Sequence, residues 1–318
     1  MRNVYSFLFV LLFLCMLLIP LAARGESTPS SAYKENNSTP ESEEKETGEQ
    51  FIIKVGDDLV TLSAGEYITG VVAAEMPALY HDEALKAQAV AAYTYALYKR
   101  DANKEKDYDL TADSATDQAF ADEAAQKEKW GAKYDEYRQR ISAAVTAVEG
   151  EFVSFDGKPI LAAYHAISSG KTETAAAVWG RDYPYLQTVE SEGDRLSDGY
   201  LADAVFSPEK LCELLEIEGP LAAEDSTIGE IERSDCGTVR RLTIGGHGFT
   251  GSSLRAALSL RSSNFDLCTR EGLFVFTTRG YGHGVGMSQF GADFLADRGY
   301  TYKEILSHYY KGAQIEKK

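Results

Sequence analysis

Cysteine is scarce in this chain of 318 residues, and the four present are badly placed for a metal site. Cys15 lies inside an apolar run, while Cys212, Cys236 and Cys268 are widely spaced, with no Cys-x-x-Cys pair and no histidine at zinc-ligand distance. A structural zinc site is therefore without support, and one disulfide at most can form, with one thiol left over. Positive charge is also short: 32 Lys and Arg stand against 49 Asp and Glu, a net charge of −17, which argues against nucleic acid as a partner. Nucleotide motifs are missing too. Ser168-Ser-Gly-Lys-Thr172 has the tail of a phosphate-binding loop, but the required first glycine falls at His165. Glycines 280, 282, 284, 286 and 291 never meet the Gly-x-Gly-x-x-Gly spacing, so no cofactor is expected. No internal repeat is present.

What the chain does have begins with an uncharged apolar run, Val4 to Ala23, flanked by Arg2 and Arg24. It is longer than the apolar core of most signal peptides and close to the ~20 residues that span a bilayer. Residues 1–24 read as a single-pass anchor or, with cleavage after Ala22-Ala23, as a signal peptide; either way the remainder is exported. Residues 25–50 hold seven Glu against two Lys with almost no large apolar side chains, the composition of a disordered acidic tether. The chain as a whole is 44% hydrophobic, and residues 51–318 have room for a sizeable core.

Periodicity in residues 51–318 predicts an α+β fold, with mixed helices and antiparallel hairpins in one main domain and a smaller inserted region over 194–266. A hairpin is expected over Ile52 to Leu62, followed by a helix that Pro77 stops at Met76. A second helix from Asp82 carries Leu85, Ala89, Ala92 and Ala96 on one face. Residues 100–131 read as a polar loop, followed by a helix through Ile141, Val145 and Val148. Asp156-Gly157 predicts a hairpin between Phe152–Phe155 and Ile160–His165. Later elements are a helix over Pro208–Glu216, a hairpin through Val239–Phe249, a strand over Leu273–Thr277, a helix capped by Ser288, and a last helix opened by the Thr301-x-x-Glu304 box.

The chemistry concentrates in two segments. In Gly70-Val-Val-Ala-Ala-Glu-Met-Pro77, Glu75 shares a helix face with Ile68, Val71 and Val72 and sits in the last turn. Partial desolvation and the negative end of the helix dipole both favour its protonated form, which suits a general acid that protonates a glycosidic oxygen. In Gly280-Tyr-Gly-His-Gly-Val-Gly-Met-Ser-Gln-Phe-Gly291 the alternate glycines permit close approach by a ligand or another segment, with His283 accessible among them. His165 to Glu173 ends a predicted strand, where side chains meet ligands. Glu173 is a candidate second carboxylate; His81, His247 and His308 are read as structural or surface residues.

The 70–77 motif, Glu83-Ala-Leu-Lys-Ala-Gln-Ala-Val-Ala-Ala92, the segment from His165 to Glu173, Ser252 to Phe265 and Gly282-His-Gly-Val-Gly-Met-Ser-Gln289 together resemble the stage II sporulation protein D family and its amidase-enhancer relatives. The resemblance implies a lytic transglycosylase of a spore-forming bacterium, acting outside the membrane on peptidoglycan glycan strands, often ones stripped of peptides by a partner amidase. The matching acid is Glu75. By the same resemblance His165, Ser168, Ser169, Lys171 and Glu173 are candidate glycan contacts, and His283 and Gln289 organise the loop or orient substrate. Other sporulation membrane proteins are implied partners. A non-catalytic glycan-binding scaffold that recruits or stimulates a cell-wall amidase is the alternative. One departure stands out: the family commonly reads Ala-Ala-Arg-Thr-Tyr where this chain has Ala91-Ala-Tyr-Thr-Tyr95, so Tyr93 replaces an arginine expected on the helix facing Glu75. The zinc-binding cysteines of some relatives are also missing.

Overall fold

The computed structural model describes residues 48–318. The apolar run 4–23, Cys15 and nearly all of the acidic tether lie outside the described residues. The tether's last two positions are structured: Glu49 accepts hydrogen bonds from Arg100 (2.7 Å) and Lys318 (2.9 Å), and Gln50 opens the first strand. Among the described residues no helix is long and apolar enough to cross a membrane.

The fold is α+β. Strands β1 (Gln50–Val55) and β2 (Asp58–Ser63) form the expected antiparallel hairpin, and the short β3 (Leu110–Thr111) pairs in parallel with β1. Ser63 then caps α1 (Ala64–Glu75) with a complete capping box, its hydroxyl accepting the Glu66 N–H while the Glu66 carboxylate accepts from Ser63. Such a box stabilises a helix start by about 1 kcal/mol. Met76 is extended, as the following proline requires, so α1 ends on Glu75. The long helix α2 (Asp82–Asn103) runs through the centre of the main core, where Leu85, Ala89, Ala92 and Ala96 are all buried against neighbouring elements. Their small size lets α2 approach its neighbours closely, as dense interiors need.

Two expectations need correction. The polar stretch read as a loop contains α3 (Glu123–Trp130), capped by Asp122 and stopped by Gly131. It buries only Gln126, so it shows no apolar stripe, and its caps were the available signal. It is followed by α4 (Tyr134–Ala147), which buries Ile141 and Val145 as expected. The second correction concerns the Asp156-Gly157 hairpin. Strand β4 (Glu151–Phe155) does pair with β5, but β5 stops at Lys158–Pro159. A tight turn from the Ala163 N–H to the Leu161 carbonyl then diverts the chain. Tyr164–His165 (β6) pairs in parallel with Met287–Ser288 (β13), and the C-terminal β14 (Gln314–Lys317) takes the free side of β4.

A second apolar cluster gathers Leu211, Leu242, Leu254, Phe265, Phe274 and Phe276. It lies between the antiparallel sheet β11–β12–β7 (Phe265–Arg270, Leu273–Arg279, Leu201–Phe206) and the sheet β10–β9–β8 (His247–Thr250, Val239–Ile244, Ile228–Arg233), with helices Pro208–Leu215 and Gly251–Ala257. Cys212, Cys236 and Cys268 are all free thiols, so no disulfide joins them. The C-terminal helices Gln289–Asp297 and Tyr302–Tyr309 start at Ser288 and Thr301, as their capping side chains predict.

Candidate active site

The glycine loop is woven into the 163–173 segment. Tyr281 and Ile167 exchange both backbone hydrogen bonds, Glu173 donates to the Gly284 carbonyl at 2.7 Å, and Met287 donates to the Ala163 carbonyl at 3.0 Å. The segment that approaches the bare backbone is therefore part of the protein. At Gly286, with φ +75°, a Cβ would lie 2.0 Å from the Ala163 carbonyl oxygen, and at Gly280, with φ +77°, one would lie 2.5 Å from that of Ile167. Only glycine fits both the conformation and the space.

This weave brings distant residues to one cleft of about 590 Å³, lined by Glu75, Tyr95, Gln118, Tyr164, Trp179 and His283 among others. Glu75 lies at its floor. One carboxylate oxygen accepts the Ala119 N–H at 3.0 Å, and the other faces the Gln289 amide at 3.5 Å. Burial raises the Glu75 pKa above its usual value, opposed by those hydrogen bonds and by the nearby Lys129 charge. Lys129, on α3, donates to the Ala73 carbonyl at 2.8 Å and so satisfies the exposed C-terminal end of α1. Tyr164 donates to Gln118 at 2.9 Å, which fixes the loop wall opposite.

The other carboxylate of the lining is Asp117. Its side chain is 1% exposed, pairs with Lys99, and accepts from both the backbone and the hydroxyl of Thr111. Glu75 is thus the carboxyl of the cleft not committed to an ion pair.

His283 forms part of the wall, its ring 5.1 Å from Trp179 and 5.7 Å from His165. Its Nδ1 accepts the Val285 N–H at 3.1 Å, so the proton of the neutral ring sits on Nε2. Burial and the Arg255 charge pull its pKa down to about 4. His165 is buried behind it, its Nδ1 at 3.1 Å from the Val285 carbonyl, and burial with His283 nearby lowers it to about 3. Both rings are neutral at physiological pH, so neither supplies a cation to the cleft.

The remaining expected contacts divide. Ser168, Ser169, Lys171 and Glu173 line a second, adjoining chamber of about 860 Å³ that shares Trp179 and His283 with the first. Lys171 pairs with Glu190 at 2.7 Å. Glu173 is 3% exposed and accepts from Ser234 at 2.5 Å, a packing role rather than that of a free second carboxylate. Ser168 is 1% exposed; its N–H donates to the buried Asp194 at 2.8 Å and its hydroxyl accepts from Gly170, so it braces the turn. Gln289 lies between Glu75 and Gln88.

The placement of Tyr93 beside Glu75 does not hold. Its hydroxyl donates to Glu49 and its ring packs on Phe51, outside both cavities. The reason is helical phase. Gln88 and Tyr95, seven residues apart, share the face turned to the cleft, and Tyr93 is rotated roughly 140° from Gln88 at 100° per residue. Among cleft residues the sequence reading missed Trp179, 41% exposed at the end of a short helix (Ala175–Trp179), and Arg181 just after it. A tryptophan followed by a helix-ending Gly180 in a chain with only two tryptophans was the signal to follow. Among the described residues no three His, Cys, Asp or Glu side chains converge where a metal ion could sit.

Comparison with known proteins gives a consistent set of relatives. The family model described as stage II sporulation protein matches residues 57–155. Stage II sporulation protein D of Bacillus amyloliquefaciens is 37% identical over 254 residues, 79% of this chain and 73% of that protein. Its counterpart in Bacillus subtilis (strain 168) is 36% identical over the same shares. The amidase enhancer of Bacillus subtilis (strain 168) is 26% identical over 303 residues, 78% of this chain and 40% of that longer protein.

Proposed function

As the chain belongs to the stage II sporulation protein D family, we propose that it remodels the cell wall during sporulation as a membrane-anchored, extracytoplasmic lytic transglycosylase of peptidoglycan glycan strands. The observation that carries this reading is Glu75: a desolvated carboxyl with a raised pKa, at the floor of a cleft whose other lining carboxylate is locked in an ion pair. Hydrolases of the usual two-carboxylate kind need a second free carboxylate. A transglycosylase needs one. Protonated Glu75 gives its proton to the oxygen joining N-acetylmuramic acid to N-acetylglucosamine as the bond to the muramyl anomeric carbon breaks. The carboxylate then takes the proton of the muramyl 6-hydroxyl as that oxygen bonds to the same carbon, closing a 1,6-anhydro ring without water. Trp179 and the cleft tyrosines offer apolar ring faces to the sugars.

The relationship to an amidase enhancer supports a second reading, a non-catalytic glycan-binding scaffold that stimulates a wall amidase. Incubating the full chain and Glu75→Gln with intact and peptide-stripped strands, then identifying strand ends by mass spectrometry, separates the two. Anhydro-muramyl ends from the wild type alone are expected; folded, glycan-binding protein that cleaves neither substrate returns the scaffold.

A further inference from the structure

The second chamber has no role in the proton transfers assigned to Glu75, and its charge runs against that of the chain. The protein carries 49 acidic residues against 32 basic ones, yet this cavity is lined by Lys171, Arg240, Arg241, Arg255 and Arg279 against two carboxylates, Glu173 and Glu232. Some of these charges are already matched. Lys171 pairs with Glu190 and Arg279 with Asp266, while Arg241 stands opposite Glu232 in the strand register. Glu173 is turned to Ser234.

Arg255 differs. It projects from the helix Gly251–Ala257 and is half-buried, and among the described residues its guanidinium has neither an ion pair nor a hydrogen bond. Burial pulls its pKa below the usual value, with only Tyr281 opposing. A half-buried guanidinium with no protein partner is open to a ligand, and its fork of donors suits a carboxylate. Its field already reaches the neighbouring cleft, because it lowers the pKa of His283. The two cavities meet at Trp179 and His283, so the chamber adjoins the cleft that holds Glu75.

We propose that the chamber is an anion subsite of the glycan groove in which Arg255, assisted by Arg240, binds a carboxylate borne by a muramyl residue next to the scissile bond. This rests on the glycan reading above. Muramyl residues offer two sources of that group: the lactyl carboxylate, free only where no peptide is attached, and the acidic side chains of an attached stem peptide.

Calorimetric binding to the full chain carrying Glu75→Gln, which prevents turnover, tests the subsite. The probes are peptide-free strands, the same strands with their carboxylates converted to methylamides, peptide-bearing strands, and a neutral chitin oligosaccharide. Peptide-free strands should bind at least about tenfold tighter than their methylamides, the usual scale for a hydrogen-bonded charge. Adding Arg255→Gln should erase that preference while leaving chitin binding intact, and Arg255→Lys should keep part of it. If peptide-bearing strands show the preference and peptide-free ones do not, the carboxylate is the peptide's. Equal binding of free acid and methylamide, with peptide-bearing strands binding no tighter than either, or equal loss of chitin binding in Arg255→Gln, overturns the subsite. Should none of the glycans bind, the glycan reading falls, and the chamber is judged from His283 by NMR: added N-acetylmuramic acid should raise its titration midpoint by offsetting Arg255. No movement there overturns the subsite independently.

Discussion

Replacing Glu75 with glutamine separates the chemistry of the site from its architecture, because the two respond in opposite directions. The amide can still accept the Ala119 N–H through its oxygen, and its nearest other neighbour, the Gln289 amide at 3.5 Å, is far enough to turn. Cleavage should fall roughly 10²- to 10⁴-fold, the usual contribution of a positioned acid. Stability should do the reverse. Burial holds the Glu75 pKa above 4.5, so the folded protein retains a proton at pH values where the unfolded chain has released it. Wild-type stability therefore declines as pH rises through that window, by about 1.4 kcal/mol for each tenfold difference in proton affinity between the two states. The variant has no proton to lose there. Its melting temperature should match or trail that of the wild type near pH 4 and overtake it by pH 8, by about 2 °C per kcal/mol for a domain of this size. Thermal melts across pH 4–8, paired with end-group analysis, read both effects. A melting difference that is flat, or that favours the wild type more at high pH, refutes the claim that burial raises the proton affinity of Glu75.

Further outcomes follow from other contacts. Gly70→Ala would put a Cβ 2.3 Å from the Phe120 ring and 2.9 Å from the Ala121 carbonyl, so the overpacking cost of about 1–3 kcal/mol should outweigh the helix-propensity gain of about 1 kcal/mol in denaturant titrations. Asp194→Ala strands the Ser168 N–H and the Ser288 hydroxyl, held at 2.8 and 2.9 Å, and should cost about 2 kcal/mol or more by the same measurement. Tyr93→Phe should lower stability by about 0.5–1.5 kcal/mol through the lost bond to Glu49, with strand cleavage unchanged. Trp179→Ala, at an exposed cleft wall, should weaken glycan binding in calorimetry while leaving the melting temperature nearly unchanged.

Local rules in the sequence determined the elements that carry the site. Pro77 ends α1 on Glu75, Ser63, Ser288 and Thr301 open their helices, and the small residues of α2 mark a face packed in the core. Each depends on neighbours within a turn or two, and that information is present in the chain itself. The helix Glu123–Trp130 escaped because a nearly all-exposed helix has no stripe, and the second hairpin strand was cut short because the β6–β13 pairing competes for those residues from more than a hundred positions away. The same distance hides the site's geometry. That Tyr93 turns to Glu49 while Tyr95 faces the cleft, that Asp117 is locked to Lys99, and that Trp179 and His283 stand where two cavities join, with Arg255 lining the second, were decided only by tertiary packing. Helical phase and strand register fix which side chains share a surface, and both are set when the core closes.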